Sequence, residues 1–159
     1  MSPRRQSVDS VSEVPFMRAC MIALGSGHGI KIHRQNCGKL LVRNHEGKVI
    51  RAVDFGPPPG AADVSGWVIP EGWRLELEFK AADGKQSKEQ KAWQNACERG
   101  GVIYVLISYS DLLSFDENVR EAVKQVEHAI ASRRSRDAVQ CGVEATIPAI
   151  GDTMRSAGK

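Results

Sequence analysis

The segment Trp73-Arg74-Leu75-Glu76-Leu77-Glu78-Phe79-Lys80 alternates apolar and charged residues. In a β-strand successive side chains point to opposite faces, so Leu75, Leu77 and Phe79 share one face. Glu76, Glu78 and Lys80 share the other, at intervals of roughly 6.5–7 Å. In an arbitrary edge strand such a row is a solvated polar face. A third carboxylate favours a site. Asp63 follows Pro57-Pro58-Pro59-Gly60-Ala61-Ala62 and heads the preceding strand-forming segment. A hairpin through Pro70-Glu71-Gly72 brings that segment beside 73–80 and Asp63 within reach of Glu78. Two carboxylates this close repel unless a proton or a divalent cation joins them. Hard oxygen ligands with open positions suit Mg²⁺, for which Mn²⁺ is expected to substitute. Lys80 is then placed to contact a scissile phosphate or a nucleophilic water. Metal and ammonium together fit phosphodiester hydrolysis by metal-activated water.

The elements that must hold these groups are legible in outline. Residues 1–11 are polar and without periodicity, and read as an arm. A helix is predicted from near Ser12, with Phe16, Met17, Ala19, Cys20, Ala23 and Leu24 as its apolar stripe, ending at Gly25–Gly29. Strands are predicted at 29–34, 39–43, 48–55, 61–69 and 73–80, with turns at 36–38 and 44–47. Ser87-x-x-Gln90 is a capping box for a helix carrying Trp93, Ala96 and Cys97, stopped by Gly100-Gly101. The run VIYVLIS at 102–108 reads as a central buried strand. A last helix is predicted over 116–133, opened by Ser114-x-x-Glu117, with a loosely packed or extended tail over 134–159. The order α-β-β-β-α-β-α describes one α/β domain with a mixed sheet over 12–133.

A chain of 159 residues holds one domain with a real core. Its 42% apolar content is globular, and no apolar run is long enough to span a membrane. The N-terminal stretch lacks the apolar run of a signal peptide, and the four cysteines form no CxxC pair. A cytoplasmic protein with unpaired thiols is the expectation, with no membrane partner. The net charge of +3 is unevenly spread: residues 17–51 hold seven cations and one anion. Lys31, Arg34, Asn36, Lys39 and Arg43, beside the candidate site in chain order, are the expected phosphate contacts. They would position a backbone without reading bases.

Gly60-x-x-Asp63, Glu78-x-Lys80, then Gly84, Ser87, Gln90, Trp93 and Gly100 before VIYVLIS resemble the VRR-NUC (virus-type replication-repair nuclease) domain. This is a branch of the PD-(D/E)XK nuclease superfamily. Arg34-x-Asn36-x-Gly38 adds to the resemblance, which covers roughly residues 13–110. It implies a restriction-endonuclease-like αβββαβ core, a central mixed sheet flanked by helices, and metal-dependent cutting of DNA. It also implies a homodimer acting on duplex or branched DNA such as four-way junctions. Asp63 and Glu78 resemble the metal carboxylates and Lys80 the catalytic lysine. Glu13 resembles an assisting acid, Gln90 the helix glutamine beside the site, and the Phe79 main-chain carbonyl a further ligand. Two departures stand out. Glu76 makes the motif Glu-x-Glu-x-Lys, and Ala62 stands where the superfamily name has Pro.

Each residue also has a plainer role. Gln90 can be a capping partner, Glu13 an acid favoured by the helix dipole, and Trp93 a core residue. The other classes are a non-catalytic nucleic-acid-binding module, which tolerates loss of Glu78 and Lys80, and an interaction protein indifferent to divalent metal.

Overall fold

The computed structural model describes residues 13–144, with side chains through 140. Helix α1 spans Glu13–Gly25, strand β1 Ile30–Arg34, β2 Gly38–Arg43, β3 Val49–Phe55, β4 Val64–Val68 and β5 Arg74–Lys80. Helix α2 spans Lys88–Arg99, β6 Ile103–Ser108 and α3 Phe115–Glu144. Four strands form a mixed sheet in the order β1-β4-β5-β6, antiparallel except for the parallel β5–β6 pair. The parallel pair requires a crossover, and α2 supplies it. Strands β2 and β3 pair only with each other, as a two-stranded ribbon inserted between β1 and β4. Five strands precede α2, matching the five predicted strand segments; the order α-β-β-β-α-β-α stated from the sequence holds only when the ribbon is set aside.

The core lies between one sheet face and helices α1 and α3. Phe16, Met17, Cys20 and Leu24 recur at helical spacing and are all buried. They meet Val64, Val68, Leu75, Leu77 and Phe79 on the sheet, with Ala122, Val126 and Ile130 from α3. Phe16 packs edge-on to Phe79 and Tyr109, at centroid separations of 5.8 and 5.2 Å. This packing fixes α1, and with it Glu13, against the C-terminal end of β5.

Two expectations are corrected. VIYVLIS is not a central strand: β6 is an edge of the sheet, and Leu106 on its outer face is 40% exposed. One face of β6 lies under α3 while α2 covers the other incompletely, so its hydrophobicity does not make it central. The interior strands are β4 and β5, and β5 is buried at every position from Leu75 to Lys80. The last helix does not end near Arg133 but continues to Glu144, through most of the segment expected to be an extended tail. No Gly or Pro interrupts 134–141, and Arg133 bridges Asp137 one turn on at 3.0 Å. Helix propensity suffices there without an apolar stripe. Residues 1–11, and 145–159 of the tail, lie outside the described residues. Among the described residues no helix is long and apolar enough to cross a membrane.

Candidate active site

The sheet face opposite the core carries Lys31 and His33 from β1, Ser65 and Trp67 from β4, and Arg74, Glu76, Glu78 and Lys80 from β5. Register follows from the pairs Ser65↔Glu76 and Trp67↔Arg74, with Lys31↔Trp67 and His33↔Ser65 on the other flank. The charged row of β5 is not a solvated face: Glu76 and Glu78 have no exposed surface, and Lys80 is 7% exposed. Buried charges persist only where partners offset their desolvation. The partners of the two glutamates differ.

Glu76 is saturated. Its Oε1 accepts from Arg74 Nε at 2.7 Å, Arg74 Nη2 at 2.6 Å and Ser65 Oγ at 2.9 Å. Its Oε2 accepts from Gln35 Nε2 at 3.1 Å. Glu78 is not. Lys80 Nζ and Gln90 Nε2 both donate to its Oε1, while the buried Oε2 has no partner. A buried oxygen without a donor is costly and needs an explanation such as an ion or a proton. Of the two carboxylates on the strand, only Glu78 has an oxygen to offer.

Asp63 sits one residue beyond the Val64↔Leu77 pair, where the β4–β5 ladder ends. Its Oδ2 accepts the Phe79 N–H at 2.8 Å, which turns the carboxylate toward β5. The N–H and C=O of one strand residue point to the same lateral side. The Phe79 carbonyl therefore faces the Asp63 flank, while its ring lies in the core. Gln35 N–H donates to the Asp63 carbonyl at 2.7 Å and so holds the loop.

Gln90 is the capping partner and also touches the acidic cluster. Its Oε1 accepts the Ser87 N–H at 2.9 Å, completing the capping box, while Nε2 reaches Glu78. Gly60 sets how closely the Asp63 loop approaches this helix start. It has φ +87°, and a Cβ there would lie 2.5 Å from the Glu89 carbonyl carbon and oxygen. Only glycine fits that approach.

Burial pushes the Glu78 carboxyl up to about 7, and nearby Asp63 and Glu13 push the same way against the pull of Lys80. The Glu13 carboxyl is also raised, first by burial and then by Asp63, with Lys80 and the Ala81 backbone opposing. Three acids and one lysine thus share a single field. Among the described residues no three His, Cys, Asp or Glu side chains form a ready metal cage. Mg²⁺ does not require one, since it keeps several waters and takes one or two carboxylates. The orphan Oε2 of Glu78 beside Asp63 fits that donor set.

The five expected phosphate contacts are dispersed. Lys31 lies on the open sheet face, but Arg34 has the opposite parity on β1, and Asn36 is an exposed loop residue. Lys39 and Arg43 are on the ribbon, where Lys39 pairs with Asp54 at 3.5 Å and Arg43 donates to the Gly47 carbonyl at 2.8 Å. Chain proximity overstates their grouping because the ribbon departs from the sheet. Trp93 is half-buried beside Cys97, lining a shallow cavity of about 210 Å³ rather than the acidic cluster. Arg74, Ser65 and Gln35, which neutralise Glu76, and Gly60, as a spacer, escaped reading as site residues. Strand parity could have found Ser65, whereas Gln35 needs the β1–β4 pairing.

No protein-family model and no curated protein matches this chain.

Proposed function

We propose that this chain is a metal-dependent DNA endonuclease of the VRR-NUC type on a restriction-endonuclease-like αβββαβ core. One observation carries the reading: a buried Glu78 with an unpartnered oxygen, adjoining Asp63 and in contact with Lys80 and Gln90. A structural ion pair would have both oxygens satisfied, as Glu76 has. Asp63, Glu78 and the Phe79 carbonyl would hold Mg²⁺ or Mn²⁺, with Glu13 assisting directly or through water. When bound, the ion supplies Lewis-acid polarisation of a phosphoryl oxygen and acidifies water.

The chain's own groups do the rest. Lys80, held beside Glu78 at low exposure, presents positive charge where the phosphate becomes more negative. Burial strengthens that effect by excluding water. Gln90 fixes Glu78 and orients Lys80, itself locked by the capping box. Lys31 remains the proposed phosphate contact on the face of the site, while the dispersed Arg34, Asn36, Lys39 and Arg43 would touch only more distant backbone; salt-sensitive binding with little sequence preference is expected. A cytoplasmic homodimer on duplex or branched DNA completes the proposal. The β2–β3 ribbon supports the dimer, since Leu40, Ile50 and Phe55 are more than half exposed on a hairpin that is marginal alone.

The test is cleavage of plasmid, single-stranded and four-way-junction DNA with Mg²⁺, Mn²⁺ or EDTA. Metal-dependent products are expected from the native chain and not from Asp63→Asn or Lys80→Ala. Full cleavage by both variants would reject the site, and metal-independent binding without cleavage would favour the non-catalytic module. Light scattering at micromolar concentration checks the dimer.

A further inference from the structure

We infer that Trp67, flanked by Lys31 and Arg74 on the open sheet face, is a stacking platform for an unpaired nucleobase of the strand being cut. The inference rests on the nuclease reading and names its substrate class: DNA with a single-stranded segment beside the scissile phosphate.

Trp67 is the one exposed position of β4, at 47%, between neighbours that are buried. It does not belong to the core, which lies on the other face. Register sets it directly between Lys31 and Arg74 on the adjoining strands. With strands about 4.8 Å apart, an indole is flanked on both sides by cationic side chains. Among the described residues Lys31 has no ion-pair partner, while Arg74 is turned toward Glu76 and keeps half its side chain exposed. A half-exposed indole with a free cation on the neighbouring strand matches a base and its phosphate. An apolar protein partner would find a charged rim there.

Position along the sheet supports the same substrate. Trp67 and Asp63 are four residues apart on one face, or about 13 Å. At 3.4 Å per stacked nucleotide this corresponds to about four nucleotides, and to fewer if the strand is extended. In the row between, Ser65 and Glu76 are buried and bonded to each other while His33 is exposed, so the route from base platform to acidic cluster runs along the β1 side of the face. Pairs inside a duplex have both faces covered by their neighbours and offer none to this indole. An unpaired stretch does.

The experiment measures binding in EDTA, so that it is independent of cleavage. Titration with dT12, rU12 and a 12-base-pair duplex follows intrinsic tryptophan fluorescence and, separately, the anisotropy of labelled oligonucleotide. The native chain is expected to bind dT12 more tightly than duplex, with quenching. Trp67→Ala should weaken dT12 binding about 5- to 150-fold, Trp67→Phe should retain most of it, and Lys31→Ala should reduce its salt dependence. Circular dichroism melts establish that each variant is folded. Comparable loss on rU12 identifies the base as the recognised group, and loss on dT12 alone adds a sugar requirement; both support the platform. Unchanged dT12 affinity in folded Trp67→Ala overturns it, even where metal-dependent cleavage of duplex persists and the nuclease reading stands. Conversion of a dimer to a monomer by Trp67→Ala, with no loss of affinity per chain, also overturns it by making the face a protein interface.

Discussion

Replacing Glu78 by Gln tests whether its charge is held against the preference of the fold. Gln keeps the shape and the oxygen that accepts from Lys80 and Gln90, but removes the charge. The carboxyl is raised from 4.5 to about 7 in the folded chain, with burial as the largest cause. The folded state therefore binds this proton more tightly than the unfolded chain. The stabilising contribution is full below pH 4.5 and is lost as pH rises through 7. Over that window the native chain should lose about 3 kcal/mol relative to Glu78→Gln, or about 6–12 °C in Tm. The assay is urea and thermal unfolding of both proteins at pH 5 and pH 8 in EDTA. Addition of Mg²⁺ at pH 8 should restore stability to the native chain and not to the variant, since binding to the folded state stabilises by mass action. Parallel stability profiles between pH 5 and 8 would refute the argument that burial of the Glu78 charge is uncompensated. Equal Mg²⁺ responses would remove Glu78 as a ligand.

Other expectations follow from the same geometry. Lys80→Met removes the charged partner of buried Glu78, so it should lower Tm at pH 8 by several degrees and less at pH 5, where the carboxyl is protonated. It should also lower cleavage by roughly 10²–10³-fold in single-turnover assays run where the variant is folded. Gly60→Ala places a side chain at φ +87° against the Glu89 carbonyl. It should cost about 1–2 kcal/mol from the backbone conformation alone and more from the clash, and weaken Mn²⁺ binding measured by calorimetry. Ser87→Ala removes the cap that accepts the Gln90 N–H at 3.2 Å, and should cost about 1 kcal/mol in urea unfolding.

Period-2 alternation in 73–80 correctly assigned β5 and its two faces, because the pattern depends only on strand geometry. The hairpin through Pro70–Gly72 followed from turn chemistry, and it was enough to set Asp63 beside β5. The capping box at Ser87 and Gln90 is local and formed as written. What sequence could not give was partnership. Only the i, i+2 spacing to Lys80 favours Glu78 over Glu76 in the string, since two of the donors that close Glu76 come from elsewhere, Gln35 just beyond β1 and Ser65 on β4. The run 102–108 looked central because its residues are apolar, yet α2 leaves part of its outer face open. The basic stretch of 17–51 looked like one surface, but alternation within β1 and the excursion of the ribbon divide it. The extension of α3 past Arg133 has no apolar stripe to mark it in the string, because propensity and the Arg133–Asp137 ion pair suffice there.

The claim beneath all of this is that Asp63 and Glu78 share a divalent cation. Anomalous scattering from a crystal soaked in Mn²⁺ tests it directly. The account predicts one dominant peak within about 2.0–2.3 Å of a carboxylate oxygen of each residue, the Glu78 oxygen being Oε2. A peak elsewhere on the chain, or none at a concentration that saturates cleavage, would contradict it.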